Sequence, residues 1–355
     1  MSKVLFILKR REDFNATKHN KIGLTTGLYN SAFFVNEMLN ELGIESKMSV
    51  VTDNNDIDRE VTLHKPTHVI IEAVWVIPSK FYELQKLHPE VIWIIRVHSE
   101  MPFMANEGMA MGWFGDYSEY KNVVIAVNSP RMLRELRLFL GIKNRWKTSQ
   151  AEKKVILLPN YYPQRYEAPK PIDRGIDELH IGCFGAIRPL KNHLLQLMTS
   201  IEFGERKRKR IFFHVNAGRI EMKGEPCLHN MRGVFEHMHH RGHKLVTHEW
   251  STREDFLEIC KSVDIGMQVS LSETFNIVAA DFVSQGVPVV TSDEIPWSFS
   301  YFNADPVDSI DMLNCLRKTY DHPYLNVKVN QFKLTKYTNN TKRVWKKYFN
   351  EANNQ

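Results

Sequence analysis

Apolar residues recur along this chain in short, β-rich runs separated by stretches of helical period. In the first half the runs are Val4–Leu8, Ser46–Val51, His68–Glu72, Val91–Val97, Val123–Val127 and Val155–Leu158. Between them lie helix-like stretches. Tyr29–Leu42 places Phe33, Phe34, Met38, Leu39 and Leu42 at i, i+3/i+4 spacing, and Gly43 follows as its stop. Pro78–Leu87 and Arg131–Leu140 read the same way. Residues 159–178, PNYYPQRYEAPKPIDRGIDE, are polar and proline-rich with no apolar period, which marks an interdomain linker. The alternation then restarts with runs at Leu179–Phe184, Ile211–Val215, Lys244–His248, Ile265–Val269 and Val287–Thr291. Helical stretches begin at Asn192 and cover Arg253–Ser262, Phe275–Gln285 and Asp308–Tyr320. Buried β-rich runs joined by helices predict parallel sheets covered on both faces, so the fold class is α/β, with two doubly wound, Rossmann-like domains. The expected division is 1–165, a linker at 166–178, 179–335, and a basic terminal helix at 336–355. Two such domains are expected to face a cleft, with ligands beyond the carboxyl ends of the strands.

Composition narrows the class further. A length of 355 residues fits two domains of about 150 residues each. With 43% hydrophobic and 25% charged residues, the chain is neither disordered, collagenous nor a coiled coil. Its longest apolar stretches, such as Val91–Ile95, fall far short of the roughly 20 residues a spanning helix needs, so no transmembrane segment is expected. The first residues, MSKVLFILKRRED, set an apolar run ahead of the charges, the reverse of a signal peptide. A soluble, cytoplasmic protein is expected, in a host's cytoplasm if a phage encodes it. Cys183, Cys227, Cys260 and Cys315 form no CxxC pair and read as reduced, buried thiols.

The formal net charge is +6, and residues 326–355 alone carry seven basic side chains against one acid, Glu351. That segment is either a solvated helix face or a contact for nucleic acid, an anionic membrane or an acidic partner. A second basic run, Arg206–Arg210, reads as an exposed turn.

The stretch from Met267 to Trp297 carries the chemistry. Glu273 and Asp281 stand eight residues apart. Phe275, Ile277, Val278 and Phe282 suit the core face of a helix starting near Thr274. Glu273 then precedes the helix, and Asp281 sits two turns in, roughly 80° around the axis. Backbone N–H groups over Thr274, Phe275, Asn276 and Ile277 would form an anion site. Carboxylates accept from sugar hydroxyls. A ligand with phosphate at its centre and hydroxyls at both ends fits, as a nucleotide sugar does. The alternative is a capping acid and a solvated helix acid.

The flanking pattern, S-x-S-E-T-F, an alanine-rich helix, then Q-G-V-P-V-V-T-S-D over residues 264–297, resembles the donor site of the family-four retaining glycosyltransferases of GT-B fold. Gly185-Ala-Ile-Arg-Pro-Leu-Lys-Asn192 resembles that family's glycine loop, whose arginine and lysine hold the donor diphosphate. The chain has Ala186 where the family's arginine follows the glycine, so Arg188 is the expected substitute beside Lys191. The resemblance implies a metal-independent reaction with retention of configuration and no cofactor beyond the nucleotide-sugar donor, a UDP-sugar first. It implies that Glu273 contacts donor-sugar hydroxyls, that Asp281, one methylene shorter than the family's glutamate, holds the ribose, and that Arg188 and Lys191 stabilise the leaving diphosphate. It also implies that the last helix crosses back onto the first domain.

In the first half, His98 follows a strand end, where the family has a histidine near the donor sugar; a structural role is the alternative. Gly23 and Gly27 precede a helix and could approach phosphate or acceptor. Glu100–Tyr120, with Met101, Phe103, Met104, Met109, Met111, Trp113, Phe114 and Tyr117, is either an acceptor-side cover or a buried excursion. His237, His239, His240, His243 and His248 suggest a metal but lack carboxylate or cysteine partners at ligand spacing. Tyr337–Ala352 has helical spacing at Val344, Tyr348 and Ala352. The expected acceptor is a glycan or glycolipid hydroxyl. A hydroxylated DNA base, as for phage DNA glycosyltransferases, is the alternative, and a non-catalytic nucleotide-sugar or nucleic-acid binding module is a further one. An epimerase of the same fold would lack the E-x7-D element.

Overall fold

The computed structural model describes residues 2–9, 26–106, 108–173, 175 and 177–352. The chain forms two compact units, one comprising Thr26–Pro163 with the first strand and the chain from Thr338 onward, the other Gln164–Tyr337. In the first unit the order is β1 (Lys3–Lys9), α1 (Gly27–Glu41), β2 (Glu45–Val51), α2 (Asp56–His64), β3 (His68–Glu72), α3 (Lys80–Leu87) and β4 (Ile92–Val97). It continues through α4 (Met101–Met104), α5 (Ala110–Tyr117), β5 (Val123–Val127), α6 (Pro130–Asn144), α7 (Thr148–Lys154) and β6 (Val155–Leu157). The strands form one parallel six-stranded sheet in the order β2-β1-β3-β4-β5-β6. All five residues of β3 are buried, as a strand covered on both faces requires.

The second unit runs β7 (Glu178–Ile187), α8 (His193–Lys207), β8 (Arg210–Ile220), α9 (Glu225–Met238), β9 (Lys244–His248), α10 (Arg253–Ser262) and β10 (Ile265–Gln268). It closes with α11 (Ile277–Ser284), β11 (Val289–Ser292), β12 (Asn303–Ala304) and α12 (Ser309–Asp321). Its six strands are parallel, in the order β9-β8-β7-β10-β11-β12, the doubly wound order of a dinucleotide-binding domain. In each sheet the strand order reverses beside the first strand, between β1 and β3 and between β7 and β10.

Among the described residues between Leu157 and Glu178 there is no helix or strand. Part of this segment straps the second unit: the Glu167 and Lys170 N–H groups donate to the Ser284 and Gly286 carbonyls, both at 2.7 Å. Gly286 has φ +72, and a Cβ there would come within 2.0 Å of the Ala168 carbonyl oxygen, so glycine permits the strap.

Several elements depart from the sequence pattern. The last helix, α13, is continuous from Pro323 to Ala352, where the pattern marked only its final half. Its missing half is buried with polar residues: Asn326 and Asn330 are fully buried, and Asn326 exchanges hydrogen bonds of 2.9 Å with both backbone groups of Val289. Helices α2 and α9 were not expected; α2 buries only Ile57 and Val61, too few to set a period. Helix α11 starts at Ile277, three residues later than expected, because Asn276 takes the left-handed conformation (φ 59) and accepts the Ala279 N–H as its cap. All four cysteines are free thiols, and all but Cys227 are buried.

Candidate active site

In the second unit the site is assembled at the reversal point from the ends of β7 and β10. Gly185 has φ +107, a conformation that costs any other residue strain, and its N–H donates to the buried Asn216 on β8 at 2.9 Å. The chain then extends through Arg188 and turns over Pro189–Lys191. Two ties zip this loop to the one after β10: the Leu271 N–H donates to the Leu190 carbonyl at 2.9 Å, and Asn192 Nδ2 donates to the Val269 carbonyl at 3.2 Å. Gln196, fully buried, donates to the Lys191 carbonyl at 2.7 Å and accepts the Val269 N–H at 2.8 Å.

This bracing brings the predicted residues together. Lys191 Nζ donates to Glu273 Oε1, and both side chains are about a tenth exposed. Asn276 Nδ2 donates to the same Glu273 oxygen at 3.2 Å and to Gln268 Oε1 at 3.0 Å, so one amide caps α11 and positions the acid. Gly185 lies against the group: a Cβ built there would be 3.9 Å from Lys191 Cε and 3.9 Å from Val278 on α11. Arg188 Nη1 is 3.7 Å from Glu221, which also pairs with Arg219. Thr274 and Phe275 are buried, and the Phe275 carbonyl accepts from Trp297 Nε1 at 2.8 Å.

Asp281 lies apart from Glu273 in its pairing. It is 1% exposed, and its two oxygens accept from Arg253 Nη2 at 2.6 Å and Nη1 at 3.3 Å. Sequence reasoning missed Arg253, although Thr252-x-x-Asp255 is a helix-start signature; Thr252 Oγ1 caps α10 by accepting the Asp255 N–H at 3.2 Å.

In the first unit, His98 follows β4 and its Nε2 bonds Glu72 Oε2. Glu72, which the pattern did not single out, is fully buried and also accepts from Arg96 Nη1 at 2.9 Å. Burial alone would push the Glu72 carboxyl up, but Arg96 and then His98 outweigh it and hold it below the usual range. Burial pushes the His98 imidazole down, against the pull of Glu72. Lys9, Leu28, Glu72, Trp75, His98 and Met104 are among the walls of a cavity of ≈ 110 Å³. Gly27 opens α1, where Thr26 caps by accepting the Tyr29 N–H at 3.0 Å; Gly23 lies outside the described residues.

The five histidines weighed for a metal go separate ways. His243 accepts the Ile211 N–H at 2.9 Å and bonds Glu205, while His248 joins His214 and His180 in a ladder with 2.9 Å steps. Among the described residues no group of three potential ligands is suited to a metal ion. Among the described residues, too, no helix is long and apolar enough to cross a membrane.

Two such parallel sheets, with the solved structures they match, identify the GT-B fold. No protein-family model and no curated protein sequence matches the chain. Solved structures do. A trehalose-phosphate synthase (UDP-forming) from Burkholderia vietnamiensis matches with TM-score 0.68 and 11% identity over 98% of this chain and 96% of its own. Sucrose-phosphate synthase from Thermosynechococcus elongatus matches with TM-score 0.67 and 12% identity, covering 99% of each chain. HepE from Anabaena, in complex with UDP and glucose, matches with TM-score 0.62 and 10% identity over 100% of each chain. At these identities the likeness is one of fold.

Proposed function

We propose that this chain is a glycosyltransferase that binds a nucleotide sugar, a UDP-sugar first, in its second unit and moves the sugar to an acceptor hydroxyl with retention of configuration. The observation that carries the reading is the Lys191–Glu273 pair, held between the Gly185 turn and the start of α11 at the reversal point of the sheet. The fold shared with structures that hold UDP and glucose supports it. Lys191, with Arg188, offers positive charge where the diphosphate departs, and charge placed there is worth most in a site shielded from water. Glu273 offers carboxylate oxygens to the sugar hydroxyls. Asp281 meets the ribose as a pair with Arg253, the more exposed partner, rather than as a bare acid. The bond from the anomeric carbon to the diphosphate breaks and a bond to the acceptor oxygen forms on the same face. The acceptor proton passes to a diphosphate oxygen. The acceptor is read as a glycan or glycolipid hydroxyl.

A thermal-shift panel of UDP-, GDP- and CMP-sugars tests the donor assignment. A ligand at a hundredfold over its Kd stabilises by about 2.7 kcal/mol, a shift of several degrees for a unit of this size. Stabilisation by one nucleotide class, lost in Lys191→Ala, is expected. No response to any of them overturns the reading.

A further inference from the structure

Arg96, Glu72 and His98 form a buried charged network that the donor reading does not use. Glu72 and Arg96 are opposite each other in the parallel register of β3 and β4, and His98, two residues beyond Arg96, follows on the same side of the strand. Arg96 is fully buried and over-determined: besides Glu72 it donates to Asn160 Oδ1 at 2.6 Å and lies over the Trp345 ring at 5.3 Å. Replacing a buried ion pair by apolar side chains of similar volume often costs no stability, so stability alone does not explain this one. Its surroundings point to use. The next residue, Ala73, is held at φ 69 by its N–H bond of 2.9 Å to the Arg96 carbonyl. Trp75 Nε1 donates to the Glu72 carbonyl at 3.0 Å. Strain of that kind in a non-glycine residue gathers at functional sites. It lies here on the wall of the 110 Å³ cavity, at the carboxyl ends of β1 and β3 where the strand order reverses.

We propose that Glu72 is a positioning residue that fixes the tautomer of His98, so that the ring presents its Nδ1 lone pair to a hydroxyl-bearing reactant in this cavity. A carboxylate can only accept, so the bond between Glu72 Oε2 and His98 Nε2 places the ring proton on Nε2. The lone pair is then on Nδ1, where Asn128 Nδ2 stands at 3.4 Å, a long bond that a reactant O–H can better. Arg96 keeps Glu72 ionised and so keeps the ring from turning over. The charged groups around the ring are Glu72, Arg96 and the cavity lysine, Lys9. The chemistry selected is a neutral O–H donor, the class to which sugar ring hydroxyls belong. In this respect the proposal rests on the glycosyltransferase reading.

The test has an arm independent of that reading. Long-range 1H–15N spectra of the full chain are expected to show His98 neutral with the proton on Nε2 at pH 7.5. In Glu72→Gln the ring should become a tautomer mixture and titrate at lower pH, since the raising influence of the carboxylate is gone. A wild-type ring protonated on Nδ1, or resonances unchanged in Glu72→Gln, overturns the proposal. In the transfer assay Glu72→Gln should lose about tenfold or more in kcat, with nucleotide-sugar KM unchanged. His98→Asn, which keeps an amide near the Nδ1 position, should retain more activity than His98→Gln, which keeps one near Nε2. The reverse order overturns the proposal even if Glu72→Gln does not fold. If no nucleotide sugar binds the wild type, the glycosyltransferase reading fails while the spectra still decide the role of Glu72.

Discussion

Breaking the Lys191–Glu273 pair from either side separates its structural weight from its functional one. Both side chains are about a tenth exposed, and Asn276 also donates to the acid. Lys191→Met therefore leaves a nearly buried carboxylate without its counter-charge, and Glu273→Gln leaves a nearly buried ammonium. Removing one member of a buried pair costs about 3–5 kcal/mol, and removing both costs far less than the sum. The two single variants should each melt roughly 6–20 °C below the wild type, at about 2–4 °C per kcal/mol for a unit of this size. The double variant Lys191→Met/Glu273→Gln should recover at least about 2 kcal/mol of the summed loss. Donor chemistry predicts a different pattern. One cation directed at a developing negative charge is worth about 10²–10³ in rate, so Lys191→Met and the double variant should both be inactive to that extent. Urea denaturation gives the stability cycle, and donor hydrolysis with transfer gives the activity. Additive stabilities would refute the pairing; a double variant that regains activity along with stability would refute the role of Lys191 at the diphosphate.

Three further outcomes are expected. Gly185→Ala should destabilise by about 1–3 kcal/mol through its φ of +107, not by collision, since the nearest atoms to the new Cβ are 3.9 Å away; a wild-type melting curve would contradict this. Burial depresses His193 and His214 to about 3 and His68 to about 4. The unfolded chain therefore binds protons that the folded chain refuses. The stability these groups lend is whole above about pH 6.5, and each loses about 1.4 kcal/mol per pH unit as pH falls from there toward 3–4. Melting temperature should thus drop steeply from pH 7 to pH 5, and a flat profile would contradict it. Trp345, fully buried on α13, donates from Nε1 to the Pro159 carbonyl at 2.9 Å; Trp345→Ala should cost about 3–5 kcal/mol in urea denaturation, and a cost below about 1 kcal/mol would mean that this end of α13 is not part of the packed first unit.

Elements buried on both faces were legible in the sequence, because a continuous apolar run of strand length has few other uses. β3 was read at His68–Glu72, and that is its extent. What escaped was structure carried by polar groups. The first half of α13 has Asn326, Asn330 and Gln331 where a hydrophobic period looks for leucines, and those amides bond to backbone instead. The late start of α11 follows from one asparagine that tolerates a left-handed backbone. Glu72 was invisible for another reason. In sequence it is the last residue of an apolar strand, and only the pairing of β3 with β4 sets it against Arg96 and His98. Local patterns locate elements; the chemistry between strands depends on which strands become neighbours.

That dependence also bears on the E-x7-D element. Read along the helix, Glu273 and Asp281 suggest two acids serving one ligand. In the fold each acid first serves a cation from another element: Glu273 holds Lys191 from the loop after β7, and Asp281 holds Arg253 from α10. Arg188 and Arg219 are likewise held by Glu221 from the end of β8. A diphosphate reaching this group would exchange one anionic partner for another rather than meet bare charge. The carboxylates would keep the cations in place and shielded from water until then. On that view the spacing of the two acids is set by the cations they hold as much as by the proposed contacts with sugar and ribose, and an aspartate at 281 is the length that closes a two-toothed contact with Arg253.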